Sequence, residues 1–289
     1  MHRVSQADAL LADAVTGGVC RLAPNLLRIV APNPGPMTGP GTNTYVLGTG
    51  ESHLVIDPGP DDPPHVERIM AAARGRIDRV LCTHSHPDHS PGAAVLHRAT
   101  GALVQGRPAP ADEHQDASYA PDATIDDGDV FRVPGGELRA VHTPGHASNH
   151  VCFLVEATGW LFTGDHLMSG STVVILPPDG SMRLYLESLR RLRELPLTAL
   201  MPGHGPVMPE PAAEIDRIVS HRLQRERKVI DALCRRGQAT LDQLVPEVYD
   251  DTPVALHGWA RYSLLAHLQK LDEEGRACNQ GAHWLWLGE

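Results

Sequence analysis

One short segment constrains this chain more than any other: Thr83-His84-Ser85-His86-Pro87-Asp88-His89. Three imidazoles and a carboxylate fall within six residues, directly after the apolar run Arg79–Cys82. A loop at a strand end holds side chains rigidly while leaving them open to solvent. Packing gives no reason for such a cluster. If protonated, the imidazoles repel one another, and Asp88 has no basic neighbour in sequence. A divalent cation resolves both problems by taking neutral imidazole and carboxylate as ligands. Three later pieces also place a candidate ligand at or near a strand end: His142-Thr143-Pro144-Gly145-His146, Thr163-Gly164-Asp165-His166 and Pro202-Gly203-His204-Gly205. Their glycines allow close backbone approach to a metal or ligand.

Around these pieces, strand and helix patterns alternate. Strands are expected at Asn43–Leu47, His53–Ile56, Arg79–Cys82, Leu103–Gln105, Leu138–His142, Val151–Val155, Trp160–Phe162 and Ala199–Met201. Helices are expected at His65–Arg74, near Ala93–Thr100 and at Tyr185–Glu194. The alternation argues for a layered α/β arrangement. After Pro211 the pattern changes to helices at Glu214–Arg236, Leu241–Val248 and Leu256–Glu274, then strand-like pieces at Ala277–Asn279 and His283–Leu287. Three helices and a hairpin are the order of a winged helix. The expected domains are residues 1–219 and 220–289.

In the order HxHxDH, lone His, GD, PGHG, these motifs resemble the signature of the metallo-β-lactamase superfamily. The resemblance implies an αββα sandwich with two zinc ions, other divalent metals being alternatives. It assigns one ion to His84, His86 and His146, and the other to Asp88, His89 and His204. Asp165 would bridge them, with a hydroxide between the ions. Asp88 would also orient the attacking water. Asn33-Pro34-Gly35-Pro36-Met37-Thr38 and Gly41-Thr42-Asn43-Thr44-Tyr45 resemble the opening of the beta-lactamase-like protein 2 family. Ser220-His221-Arg222 fits it too. That family includes a mitochondrial endoribonuclease of animals and carries a C-terminal winged-helix-like domain.

The leading expectation is therefore a di-zinc hydrolase, as an endoribonuclease-like phosphodiesterase acting on single-stranded RNA. A thioesterase of the hydroxyacylglutathione-hydrolase type is the alternative; an iron-dependent persulfide dioxygenase and a β-lactamase rank lower. A regulatory module with a vestigial metal site is a third class. Charge bears on the choice. The net charge is −10, which disfavours non-specific binding to nucleic acid. Residues 220–289 hold 9 Lys/Arg and 10 Asp/Glu, without the basic excess expected of a phosphate-gripping domain. Arg222, Arg225, Arg227 and Lys228 form a run that reads either as an RNA patch or, more readily, as a solvated helix face.

Several smaller expectations complete the reading. His142 and His166 are expected beside the ligands or in solvent, and His53, His65, His97 and His114 on the surface or in loops. Thr42 and Asn43 are read as substrate-orienting or as ordinary turn residues. Arg183 is expected in a salt bridge and Tyr185 as a packed ring. Trp259, Trp284 and Trp286 are candidate anchors of a homodimer, although core packing is the commoner use of each. No apolar run has the length of a membrane span, and Ala7–Val15 lacks the features of a signal peptide. The five scattered cysteines read as reduced thiols. A cytoplasmic location is the default expectation.

Overall fold

The computed structural model describes residues 12–50, 52–133 and 136–288. Two compact units emerge from it. The first comprises the chain to Thr143, Asn149–Ser171 and Leu195–Ala212. The second comprises Pro144–Ser148, Thr172–Glu194 and the chain from Ala213. The expected boundary at 219/220 falls inside one continuous helix, Pro211–Arg236.

In the first unit, seven strands lie in sequence order across one sheet: β1 (Val19–Ala23), β2 (Leu26–Val30), β3 (Asn43–Thr49), β4 (Ser52–Ile56), β5 (Arg79–Leu81), β6 (Leu103–Gly106) and β7 (Ala123–Thr124). Strands β1 to β4 pair antiparallel, and β4 to β7 pair parallel. A second sheet runs β12-β11-β10-β9-β8. Its strands are β8 (Val130–Val133), β9 (Gly136–His142), β10 (Val151–Val155), β11 (Trp160–Gly164) and β12 (Ala199–Pro202).

Side chains alternate along these strands and so build two cores. Tyr45, Leu47, Leu54, Ile56 and Leu81 join Leu138, Ala140, Val151, Phe153, Phe162 and Met201 in one cluster, which is the layer between the sheets. The intervening Val46, Val55 and Val80 pack with Val66 and Ile69 of α1 (Pro63–Ala72) and with Ala93 and Leu96 of α2 (Pro91–Thr100). These helices therefore cover the outer face of the first sheet. Asp62 caps α1, accepting from His65 N at 2.8 Å, and prolines occupy the first turns of both helices, where their missing N–H costs nothing.

The second unit contains α3 (Met182–Arg193), most of α4 (Pro211–Arg236), β13 (Gln238–Ala239), α5 (Leu241–Val248), α6 (His257–Glu273), β14 (Ala277–Gln280) and β15 (His283–Trp286). The three strands pair in the order β13-β15-β14. A capping box between Thr240 and Gln243 starts α5. Leu233, Leu244, Val248, Leu264, Leu268, Leu271 and Trp284 form the core.

Some expectations are corrected. Strands β1, β2, β7, β8 and β13 were not foreseen. Strand β2 holds Arg28 in a fully buried position, where its guanidinium donates to Ala12 O and Asp13 O at 2.8 and 2.7 Å. His65 and His53 are buried rather than superficial. His65 pairs with Thr44 Oγ1 at 2.9 Å, and His53 Nδ1 lies 3.0 Å from Arg76 O. No helix among the described residues is long and apolar enough to cross a membrane.

Candidate metal centre

The parallel register Ile56↔Leu81 sets Asp57 beside the start of the histidine-rich loop. Parallel pairing of β11 with β12, ending Gly164↔Pro202, sets Asp165 beside Gly203 and His204. Four ligand atoms, from Asp88, His89, Asp165 and His204, lie within 4.8 Å of one another. His89 Nε2 is 3.3 Å from Asp165 Oδ1 and 3.5 Å from Asp88 Oδ2. His204 Nε2 is 3.3 Å from Asp165 Oδ1 and 3.2 Å from Asp88 Oδ2. Both Nε2 atoms are buried and have no well-directed hydrogen bond among the described residues.

The opposite ring nitrogens explain why these two Nε2 atoms point inward. His89 Nδ1 meets Asp57 Oδ2 at 3.0 Å, and His204 Nδ1 faces Gly41 O at 3.4 Å. A carboxylate or carbonyl oxygen only accepts, so Nδ1 carries the hydrogen and, in the neutral ring, Nε2 offers a lone pair. The donor set fits a divalent cation: two aligned imidazole nitrogens, two carboxylates and a cradle with no spare volume. At Gly203, a Cβ would stand 2.8 Å from His89 Cε1 and 2.9 Å from Asp165 Oδ1. At Gly164, which has φ of 45°, it would stand 2.5 Å from Thr83 Oγ1.

Electrostatics reinforce the fit. Burial opposes charge on His89, but the Asp88 and Asp165 carboxylates outweigh it and raise the imidazole well above its ordinary range. His204 is pushed up to about 9, against burial, chiefly by Asp165. Burial opposes ionisation of Asp165 as well, yet His204 and His89 hold it well below the carboxylate range. Asp88 is drawn down to about 2 against burial by His89 and His204. Without metal, protons on the imidazoles balance the two carboxylates; a cation replaces them.

His84 and His86 stand on the same loop, and the His84 ring lies 4.3 Å from that of His89. His84 Nε2 is 2.9 Å from His86 Nδ1, which brings together two nitrogens that a metal could take. The intervening Ser85 is fully buried. It accepts from Asn149 Nδ2 at 2.7 Å and donates to Gln115 Oε1 at 2.5 Å. Asp116 fastens the same loop, its N donating to Ser85 O at 2.7 Å and its Oδ2 accepting from Ser90 Oγ at 2.8 Å. His146 stands on the Pro144–Ser148 segment of the second unit, with Nδ1 2.9 Å from Val174 O. This is the same arrangement that presents Nε2 in His89 and His204.

Sequence reasoning missed Asp57, the residue that follows the expected strand His53–Ile56. Its carboxylate accepts from Thr83 N at 2.7 Å, Thr83 Oγ1 at 2.8 Å and His89 Nδ1 at 3.0 Å. An acidic residue closing the strand adjacent to the ligand loop was the available signal. His150 was also missed; it is fully buried, with Nδ1 2.9 Å from Thr143 Oγ1. His166 is fully buried rather than solvated, its ring 5.7 Å from that of His150. Thr42 and Asn43 serve the backbone. Asn43 Nδ2 donates to Pro202 O at 2.9 Å and Gly205 O at 2.8 Å, bracketing His204. Thr42 N donates to Asn33 Oδ1 at 2.9 Å.

The Arg-rich run is largely engaged within its own unit. Arg222 is buried and donates to Val173 O. Arg225 is buried against Val248 O and Asp251, and Lys228 pairs with Asp250 and Asp251. Arg183 bonds Glu187 and Glu273, and Tyr185 is a buried ring.

Comparison with known proteins identifies the family. The family model described as the metallo-beta-lactamase superfamily matches residues 37–204. The beta-lactamase associated winged helix domain matches residues 240–284. A Drosophila melanogaster protein named beta-lactamase-like protein 2 homolog is 32% identical over 276 residues, covering 91% of this chain and 93% of that one. An Aspergillus fumigatus protein named atrochrysone carboxyl ACP thioesterase is 34% identical over 247 residues, covering 80% and 76%. The crystal structure of a metallo-beta-lactamase family protein from Thermus thermophilus shares the fold with a TM-score of 0.75 at 22% identity, covering 92% of this chain and all of that one.

Proposed function

This chain belongs to the metallo-beta-lactamase superfamily and carries its associated winged helix domain, and on that premise we propose that it is a two-metal hydrolase of acyl thioesters. The observation that carries the metal reading is the convergence of two buried imidazole Nε2 atoms, each lacking a well-directed partner, on two carboxylates. Asp88, His89, Asp165 and His204 would hold one ion, and His84, His86 and His146 a second. Nitrogen and carboxylate donors of this kind suit zinc. Two such cations supply hydroxide near neutral pH and polarise the bond to be cleaved.

The remaining steps belong to the chain's own groups. The Asp88 side chain is 30% exposed and that of Asp165 is 12% exposed, so Asp88 is the carboxylate open to incoming water. Its oxygen accepts a hydrogen bond from the attacking water and directs the water's lone pair at the acyl carbon. Asp57 and Gly41 O hold the His89 and His204 rings so that neither consumes that hydrogen bond. Collapse of the tetrahedral adduct expels a thiolate. With a thiol pKa of about 8.5, this leaving group needs no proton from the protein.

Thioester is preferred to single-stranded RNA because three of the four cations in the Arg-rich run are engaged internally. A phosphate-binding face requires cations that can meet the backbone. Relatives named as acyl-carrier-protein thioesterases support the same substrate class. The test is a side-by-side assay of zinc-loaded protein on an acyl-N-acetylcysteamine thioester, unstructured RNA at low and moderate salt, and nitrocefin. Thioester turnover should exceed both others. Salt-sensitive RNA cleavage without thioester turnover would transfer the assignment to the phosphodiesterase reading. One tightly held iron with persulfide-dependent oxygen uptake would remove the hydrolase reading.

A further inference from the structure

Residues 172–176 belong to no helix or strand, so regular backbone pairing does not direct their carbonyls. Two of those carbonyls meet side chains instead. Val174 O faces His146 Nδ1 at 2.9 Å, and Val173 O accepts from Arg222 Nη2 of α4. The two carbonyls belong to the peptides on either side of the Val174 Cα, so the bond that fixes one constrains the direction of the other. Arg222 is buried. Its charged, planar guanidinium is a stronger and more directional donor to a carbonyl than a neutral group. With Val174 O as acceptor, His146 Nδ1 carries the hydrogen, and in the neutral ring Nε2 offers a lone pair to a metal.

The guanidinium also reaches the main chain of His146 by a second route. Arg222 Cζ lies 5.4 Å from the ring centroid of Tyr185, which is fully buried on α3. The Tyr185 backbone abuts Gly145 so closely that a Cβ on Gly145 would stand 2.3 Å from Tyr185 Cα. Three hydrogen bonds hold the chain on either side of His146. Ser188 Oγ donates to Pro144 O at 2.9 Å, Ser181 N donates to Gly145 O at 2.8 Å, and Ser148 N donates to Asp179 Oδ2 at 2.9 Å. All of these residues belong to the second unit. With the main chain held, the turn of the imidazole depends on where Val174 O points. Burying a guanidinium is costly unless its bonds are used, and a role in packing alone would be met by an apolar side chain of similar volume. Without the Arg222 donor, Val173 O is freed, Val174 O can swing away, and His146 can turn or move its hydrogen to Nε2.

We infer that Arg222 is a positioning residue for His146: through Val173 O it sets the carbonyl that turns the imidazole Nε2 towards the ion shared with His84 and His86. The inference rests on the two-ion reading above for its use, but its geometry is testable without metal. Long-range 1H–15N spectra of the full-length, metal-free protein at alkaline pH report which ring nitrogen carries the hydrogen, and His146→Ala identifies the His146 signals. In wild type the hydrogen should sit on Nδ1. In Arg222→Met, which keeps bulk but donates nothing, it should be shared with Nε2, whereas Arg222→Lys, which can still donate to Val173 O, should return most of it to Nδ1. Competitive zinc titration should show one affinity lowered about 10-fold in Arg222→Met, the lower end for loss of an outer partner, and this should be the affinity that His146→Ala abolishes. The other affinity should stay within about twofold of wild type. Thermal unfolding checks each variant, and if Arg222→Met does not fold, Arg222→Gln, too short to reach Val173 O, decides by the same measurements. Unchanged His146 spectra and unchanged zinc affinities in a folded variant overturn the inference. So does an equal loss at both ions, which marks a purely structural arginine. If wild type takes one ion while the His146 hydrogen still shifts in Arg222→Met, the two-ion reading fails and the positioning of His146 stands.

Discussion

Replacing Asp57 with Asn tests the account of how this chain prepares a metal ligand. The change is isosteric, and Asp57 has φ of 49°, a conformation Asn tolerates. The backbone therefore has no reason to move. Chemistry changes sharply: a carboxylate that accepts three buried hydrogen bonds becomes an amide with one acceptor and one donor. If the amide oxygen stays with Thr83 N, the NH2 group faces His89 Nδ1. His89 must then set two N–H groups against each other or move its hydrogen to Nε2, the atom that should bind metal. If the amide flips, Thr83 N loses its acceptor in a buried site. Loss of a bond to a charged acceptor costs about 1.5–3 kcal/mol, and loss of such an outer partner typically lowers metal affinity about 10–100-fold. The assay is competitive zinc titration against a chromophoric chelator, with urea unfolding of the metal-free protein alongside. One of the two zinc affinities should fall by that factor, or metal-free stability should fall by about 1.5–3 kcal/mol. Two affinities within about twofold of wild type, with unchanged stability, would refute the reasoning.

Gly203→Ala should leave the protein folded but deplete its metal, because the new methyl group would lie 2.8 Å from His89 Cε1 and 2.9 Å from Asp165 Oδ1. Overpacking of this kind costs about 1–3 kcal/mol, and metal content measured on folded protein reads the site directly. Zinc binding should release protons, and its apparent affinity should fall as pH drops below about 9, where His204 in the metal-free protein begins to hold its proton; calorimetry in buffers of different ionisation heat counts them. Burial, helped by Arg68, lowers His65 from 6.5 to about 4. The unfolded chain then binds the extra proton between those values, so stability is present above pH 6.5 and is lost as pH falls towards 4, by up to about 3 kcal/mol. In His65→Gln the dependence of unfolding free energy on pH across that window should be shallower by up to one proton, and an unchanged slope would count against the buried, neutral His65.

Local pattern determined a good deal about this protein. The density of ligands in His84–His89 left metal as the economical explanation, and the order of the four motifs indicated the superfamily and its sandwich. Alternation in Asn43–Leu47 and helical spacing through Leu264, Leu268 and Leu271 located elements that the structure contains. These signals are readable because they repeat over a few residues. Other roles depend on partners far along the chain. Asp57 serves His89 across 32 residues, and Asn43 braces the His204 loop across 159 and 162. Sheet register makes those neighbours, and no local period encodes it. Strand β2 escaped notice because Arg28 interrupts its apolar pattern, and only the folded chain supplies the carbonyls that make that guanidinium tolerable when buried. The run Arg222, Arg225 and Lys228 has one appearance in sequence and another in the fold. A guanidinium turned towards Val173 O or Val248 O is no longer available to a phosphate, and tertiary structure alone decides which way it turns.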